Sequence, residues 1–404
     1  MGNIVKKINK DVLIFVLFLN PLYRLNKFMM IPYKKGVITS QAHVGVPDGT
    51  YEEEYARNGF SGRYAHLYRT EPPVGWLSIE GPLKPRAYDP QMSKKTPATD
   101  RHSQTFDFMK ARVPYLFNQD VRICFVTLSQ AMNVFFRNAD ADEVYFVHHG
   151  EGRLETDFGP LQYEAGDYLI IPRGTVYRFD PLVTSEFLLT ESFSEIRFPD
   201  RGMLGQHALF DPAVLKSPSP EPSRYQADVY ELLIKRDDEI TRVKYPFNPL
   251  NTVGWKGTLT VWQLNVKDIR PVLSDRYHLP PSAHTTFLGQ NFVICTFLPR
   301  PLENGDPLAM KVPFYHSNID FDEVLFYHRG EFFSREGIKE GMLTFHPQGI
   351  HHGPQGKAVQ RTQNVDRTNE IAVMIDTKNP LQISPEAQSV ELVNYWKSWM
   401  VPQN

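Results

Sequence analysis

The 404 residues are more than one small domain needs and suit two units of roughly 150–200 residues. With 41% hydrophobic and 22% charged residues, the composition is that of a globular chain, which excludes disordered, collagen-like, coiled-coil and polytopic membrane proteins. Lys+Arg 44 against Asp+Glu 46 leaves a net charge of -2, no basic excess for a nucleic acid, and two cysteines exclude a disulfide scaffold or thiolate cluster and fit a reducing cytoplasm.

The chain opens with Lys6, Lys7 and Lys10 ahead of the apolar run Val12 to Leu19, the order of a signal peptide. That run is eight residues long, short of the about 20 that span a bilayer, and no small-x-small cleavage site follows it before Met29. Residues 1–28 are therefore expected to be a dispensable leader or a mis-assigned start, without stable membrane association. The 32 prolines, 25 glycines and 13% aromatics predict many short strands joined by turns. Glu52-Glu53-Glu54 reads as a solvated acidic face.

Further along, a repeat decides the architecture. Asp142-Glu143-Val144-Tyr145-Phe146-Val147-His148-His149-Gly150 returns 180 residues later as Asp322-Glu323-Val324-Leu325-Phe326-Tyr327-His328-Arg329-Gly330. Gly166, Pro172 and Gly174 return as Gly341, Pro347 and Gly349, 175 residues on. Each copy predicts apolar strands around a Gly-x5-Pro-x-Gly turn, the pattern of antiparallel sheets closing into a barrel. The expected organisation is a first β-domain over 29–215, a Pro/Ser linker over 216–226 and a second β-domain over 227–404, with a few peripheral helices.

The spacing resembles the cupin superfamily, whose motifs run His-x-His, three or four residues, Glu, six residues, Gly, and then Gly-x5-Pro-x-Gly-x2-His. In the second copy His316 and Asn318 occupy the His-x-His positions, four residues lead to Glu323 and six more to Gly330, and Gly341, Pro347, Gly349 and His352 complete the second motif. In the first copy Phe136 and Asn138 stand where the paired histidines would be, and Tyr177 replaces the last one. The resemblance implies a bicupin, two jelly-roll barrels, of which only the second binds metal through His316, Glu323 and His352. Two imidazoles and one carboxylate on one face suit Fe(II), with positions left open for substrate and O2, whereas closed zinc sites use four ligands. His148, His149 and His328 read as surface or packing residues, and His351 should point away from the ligand face. His346, just before the motif proline, could touch substrate. Trp255, Phe287 and Phe314 read as core residues, with an aromatic pocket as the alternative.

A closer resemblance rests on Asn251-Thr252-Val253-Gly254-Trp255, Asn291-Phe292-Val293-Ile294, Pro299-Arg300-Pro301, Tyr315-His316-Ser317-Asn318 and His352-Gly353-Pro354, with Gly59-Phe60-Ser61-Gly62 and His66-Leu67-Tyr68 upstream. These stretches resemble homogentisate 1,2-dioxygenases, particularly the shorter bacterial ones. The resemblance implies a cytoplasmic Fe(II) enzyme of tyrosine and phenylalanine catabolism, a trimer or hexamer, that opens the ring of homogentisate with O2 to maleylacetoacetate. It puts the iron on His316, Glu323 and His352, and substrate near His346 and His352. Two positions depart from the family: Lys256 stands where better-known members carry an acid/base histidine, and Phe332 where a tyrosine is expected. Lys256, His278 and His284 are the candidates for the acid/base role. The alternatives are a dioxygenase for another hydroquinone acid, such as gentisate, and a non-catalytic metal-binding bicupin.

Overall fold

The two copies of the repeat become the strands Asp142–His149 and Asp322–Arg329. Their β-branched and aromatic side chains favour a pleated, doubly covered surface, and each strand is followed by a glycine at positive φ, Gly150 and Gly330. At Gly330 a Cβ would stand 2.2 Å from the carbonyl oxygen of Asn369, so no other residue fits. The computed structural model describes residues 35–60, 62–95, 107–332, 335, 337–351, 353–354 and 365–401. The expected leader, 1–28, lies outside the described residues. Contacts separate a short N-terminal unit, Met1–Ile38, from the unit Thr39–Asn404 that carries all the sheets.

In the first barrel a seven-stranded sheet runs in the order Trp262–Asn265, Asp167–Ile171, Asp142–His149, Ser185–Ser192, Val121–Leu128, Arg112–Phe117, Gln382–Ile383. Its partner sheet runs Glu239–Tyr245, Tyr230–Arg236, Phe135–Asn138, Val176–Pro181, Gly152–Thr156, Gly159–Tyr163. Between them Tyr145, Val147, Leu169, Phe187 and Leu189 from one sheet pack on Phe136, Leu154, Tyr177 and Phe179 from the other. In the second barrel a six-stranded sheet, Thr285–Gly289, Phe292–Phe297, Ile371–Thr377, Asp322–Arg329, Leu343–His346, Arg86–Tyr88, is joined by a three-stranded one, Tyr315–Asn318, Tyr51–Ala56, Tyr64–Arg69. Pairing is antiparallel except between Tyr51–Ala56 and Tyr315–Asn318 and between Phe135–Asn138 and Tyr230–Arg236. The protein is thus a bicupin dominated by antiparallel β-structure, with only short helices such as Phe108–Ala111 and Pro385–Ser389 among the described residues. None of the described helices is long and apolar enough to cross a membrane.

Strand pairing crosses the expected partition at 216–226. Tyr51–Ala56, Tyr64–Arg69 and Arg86–Tyr88 complete the sheets of the second barrel, while Tyr230–Arg236, Glu239–Tyr245 and Trp262–Asn265 extend those of the first. The expected linker is itself docked: Lys216 bridges to Gln263, Glu221 pairs with Arg153, and Ser223 Oγ donates to Glu155. Trp255 also packs here, its ring 5.8 Å from that of Phe158 and its Nε1 donating to the Pro218 carbonyl.

The barrels stand back to back. Val144 and Phe146 of one repeat and Val324 and Phe326 of the other lie in one apolar layer with Tyr168, Ile170, Phe287 and Ile375. Period-two alternation explains the sorting, because residues that face this layer leave their neighbours, Glu143 and Glu323, turned into their own barrels. At the edge of the layer the repeat-related His148 and His328 meet, Nδ1 to Nδ1 at 3.0 Å. Both are buried packing residues, whereas His149 is exposed.

Candidate active site

His316 and Glu323 reach the same cavity from different sheets. His316 lies on Tyr315–Asn318 and Glu323 on Asp322–Arg329, and both line a cavity with Phe60, Phe297, Phe314 and His278. The Nδ1–H of His316 donates to the carbonyl of Phe314 at 2.9 Å, which fixes the tautomer whose lone pair is on Nε2. Backbone acceptors of this kind hold metal-binding imidazoles, so the pair fits a divalent metal. Glu323 Oε1 accepts from His346 Nδ1 at 2.6 Å, and Tyr395 OH donates to the other ring nitrogen at 3.2 Å. Burial pushes His346 down to about 4, so a neutral ring makes both bonds. His346 therefore stands behind Glu323 and orients it, instead of lining the cavity as expected for a substrate contact.

The third expected ligand, His352, lies outside the described residues. Its neighbours are anchored on both sides. His351 points to the outer face, as expected, where its Nδ1 is 2.5 Å from Glu53 Oε1. Ser317 donates to the same oxygen and Arg69 Nε to Oε2. Burial alone would raise the Glu53 carboxyl, but these bonds from His351, Ser317 and Arg69 outweigh it and hold it down at about 2. The carbonyl of Gly353 accepts from Trp399 Nε1 at 2.9 Å, and a Cβ on Gly353 would stand 3.1 Å from Tyr315 Cα. Glycine here lets the motif turn lie against the strand of His316.

Among the expected acid/base residues, only His278 lines the cavity. It is buried, and its Nδ1 is 3.1 Å from Glu303 Oε1. Burial lowers the imidazole, and the carboxylate can only accept, so Nδ1 carries the proton and Nε2 the lone pair. His284 is buried beside Phe297, rings 5.2 Å apart, and burial pushes it well down, but it is not part of the lining. Lys256 is exposed in the irregular segment before Trp262 and lies away from the lining, so the structure does not support its expected role. Phe332 packs on Tyr327 at 4.8 Å. Phe287 belongs to the core between the barrels, and Phe314 to the cavity wall.

Sequence reasoning missed the charged residues of the wall. Arg300 is buried there, its Nη1 without a hydrogen-bond partner among the described residues, in the same wall as Glu370, whose carboxyl burial raises to about 7 against the pull of Arg300 and Arg335. It also misread Glu52-Glu53-Glu54, which is buried throughout at 2%, 0% and 8% exposure. Glu52 and Glu54 lie on the covered face of Tyr51–Ala56, and Glu53, on the face where Tyr51 and Tyr55 are exposed, is buried under His351, Ser317 and Arg69. Asn58-Gly59, between this strand and Tyr64–Arg69, is the hairpin signal that could have placed it in a sheet.

The family model "Homogentisate 1,2-dioxygenase N-terminal" matches residues 89–266. A protein of Saccharolobus solfataricus named "Putative dioxygenase" is 33% identical over 386 residues, 92% of this chain and 99% of that protein. Homogentisate 1,2-dioxygenases of Bradyrhizobium diazoefficiens and Rhizobium johnstonii are each 24% identical, over 65% and 84% of this chain and 62% and 78% of their own lengths.

Proposed function

Since the chain belongs to the homogentisate 1,2-dioxygenase-like family of cupins, we propose that it is an Fe(II)-dependent dioxygenase that opens the ring of homogentisate to maleylacetoacetate in tyrosine and phenylalanine catabolism. The observation that carries this reading is one cavity wall holding His316, Glu323, a buried Arg300 with an unsatisfied Nη1, and a neutral His278. The proposal extends to His352 as third ligand, to a cytoplasmic location and to a homo-oligomer.

Fe(II) on His316, Glu323 and His352 would supply the open positions and the redox chemistry that O2 needs. The chain does the rest. Phe60, Phe297 and Phe314 exclude water from the ring. Arg300 supplies the cation that a buried substrate carboxylate requires, since an unpaired charge in this wall would be costly. His278 Nε2 takes the phenolic proton, and Glu303 stabilises the imidazolium that results, the division of labour of a carboxylate-backed base. In the balanced reaction both atoms of O2 enter the product and the aromatic C–C bond breaks.

The test is O2 uptake by the full chain loaded with Fe(II), with homogentisate and gentisate compared. A higher kcat/KM for homogentisate is expected, because its carboxylate sits one carbon further from the ring. Preference for gentisate would overturn the substrate, and bound iron without O2 uptake on either acid would overturn the enzyme reading in favour of a binding protein.

A further inference from the structure

The three-stranded sheet of the second barrel carries more metal-binding side chains than the iron site uses. In one row across it, His66 is paired with Glu54 and Glu54 with His316. Directly paired residues project to the same face, so the face that presents His316 to the cavity also presents Glu54 and His66. His43 closes the group: its ring lies 4.9 Å from that of His66, edge to face, and its Nε2 is 3.8 Å from Glu54 Oε2. One ligand atom from each of His43, Glu54 and His66 lies within 4.8 Å of the others.

No structural role accounts for these groups. His66 Nε2 is buried without a hydrogen-bond partner, and the Glu54 carboxylate, 8% exposed, accepts no hydrogen bond among the described residues. Behind His43, Glu52 Oε1 accepts from the His43 backbone N–H at 3.1 Å and lies 2.8 Å from Nδ1, so a carboxylate backs this imidazole.

We propose that His43, Glu54 and His66 form a second divalent-cation site in the wall of the catalytic cavity, separate from His316 and Glu323. Two imidazoles and a carboxylate without thiolate suit a borderline first-row ion such as Zn2+. Donors around a tetrahedral Zn2+ stand about 3.4 Å apart, given bonds near 2.1 Å, and the His43–Glu54 separation of 3.8 Å is already close to that. Three protein ligands leave a fourth position, and Glu54 itself lines the cavity. The two sites share no ligand, so each can be emptied alone.

The test is Zn2+ bound per chain after chelation, reloading and desalting of the full-length protein, read by elemental analysis. Two equivalents are expected for the unmodified chain. His66→Gln should retain one, and so should the His316→Ala, Glu323→Gln pair, whose remaining equivalent disappears when His66→Gln is added. If His66→Gln does not fold, as judged by circular dichroism, Glu54→Gln replaces it with an isosteric side chain. Saturation of the unmodified chain at one equivalent overturns the site regardless of any variant. So does a second equivalent that survives both single substitutions, or one that is lost with His149→Ala, which would assign it to His148, His149 and Glu186 at the other cluster of ligating side chains.

Discussion

The two barrels place a carboxylate at the same point of the repeat and neutralise it in different ways. In the first, Glu143 accepts from Arg112 Nη2 at 2.5 Å, and the same nitrogen reaches Glu191 at 2.6 Å. The residues that replace the motif histidines all serve this guanidinium or its partners: Phe136 lies under it at 4.9 Å, Tyr177 OH accepts from Nη1, and Asn138 Nδ2 donates to both carboxylates. In the second barrel Glu323 accepts from a neutral His346, lies 3.7 Å from the buried Arg335 Nη2 and faces a cavity beside His316. A buried carboxylate needs a cation: Glu143 has Arg112 in direct hydrogen-bond contact, whereas Glu323 has Arg335 Nη2 at 3.7 Å and also faces a cavity open to an ion from outside.

The comparison breaks most sharply at the carboxylates. His316→Ala or Glu323→Ala should abolish O2 uptake and iron binding while thermal stability hardly changes. Glu143→Ala should do the reverse, keeping iron and losing stability. Equal iron loss in both barrels would end the distinction. Arg112→Met comes next: it leaves Glu143 and Glu191 buried without their main counter-charge, and should cost about 3–5 kcal/mol in denaturant unfolding. A loss below about 1 kcal/mol would mean that Lys235, whose Nζ lies 3.4 Å from Glu191, already suffices.

The motif spacing made half of this contrast legible, because His316, Glu323 and the degenerate Phe136, Asn138 and Tyr177 are local in sequence and strand alternation turns them inward. What it hid is non-local. Arg112 sits far from any motif, and only the sheet Val121–Leu128 next to Arg112–Phe117 brings it under Glu143. Tyr51–Ala56 joins the second barrel by pairing with a strand more than 250 residues away, |i−j| = 264 between Glu53 and Ser317. No local pattern encodes such a pairing, so three consecutive glutamates looked solvated. Lys256 is a related case: a position inferred by resemblance says nothing of which way an irregular segment carries it, and here the segment leaves the lysine exposed and out of the cavity lining.

Within the second barrel, His278→Phe should lower turnover by about 100-fold or more, the scale of a lost acid/base group, with iron retained. Lys256→Met should change it less than about twofold; the opposite ranking would restore the lysine. A smaller effect is expected at Arg300→Met, which removes a charge-assisted bond worth about 1.5–3 kcal/mol and so should raise KM about 10- to 100-fold. Glu370, raised to about 7 by burial, is neutral below that pH and leaves Arg300 to the substrate. Above it the carboxylate competes, so KM should rise with pH, and Glu370→Gln should remove the rise.

The smallest effect concerns the seam between the barrels. Burial, with Arg329 and His149 adding repulsion, pushes His328 down to about 4. In the contact with His148 one ring donates and the other accepts, which two imidazolium ions cannot do. The unfolded chain takes up its proton near pH 6.5, so folding stability should be complete above that pH. It should fall as pH drops from about 6.5 towards 4, because the unfolded state then binds the proton that the native seam refuses. Melting temperature followed against pH tests this: His328→Asn should lose stability at neutral pH through the broken contact yet show a flatter slope between pH 6.5 and 4. An unchanged slope would assign the acid sensitivity to other groups and leave the seam as packing alone.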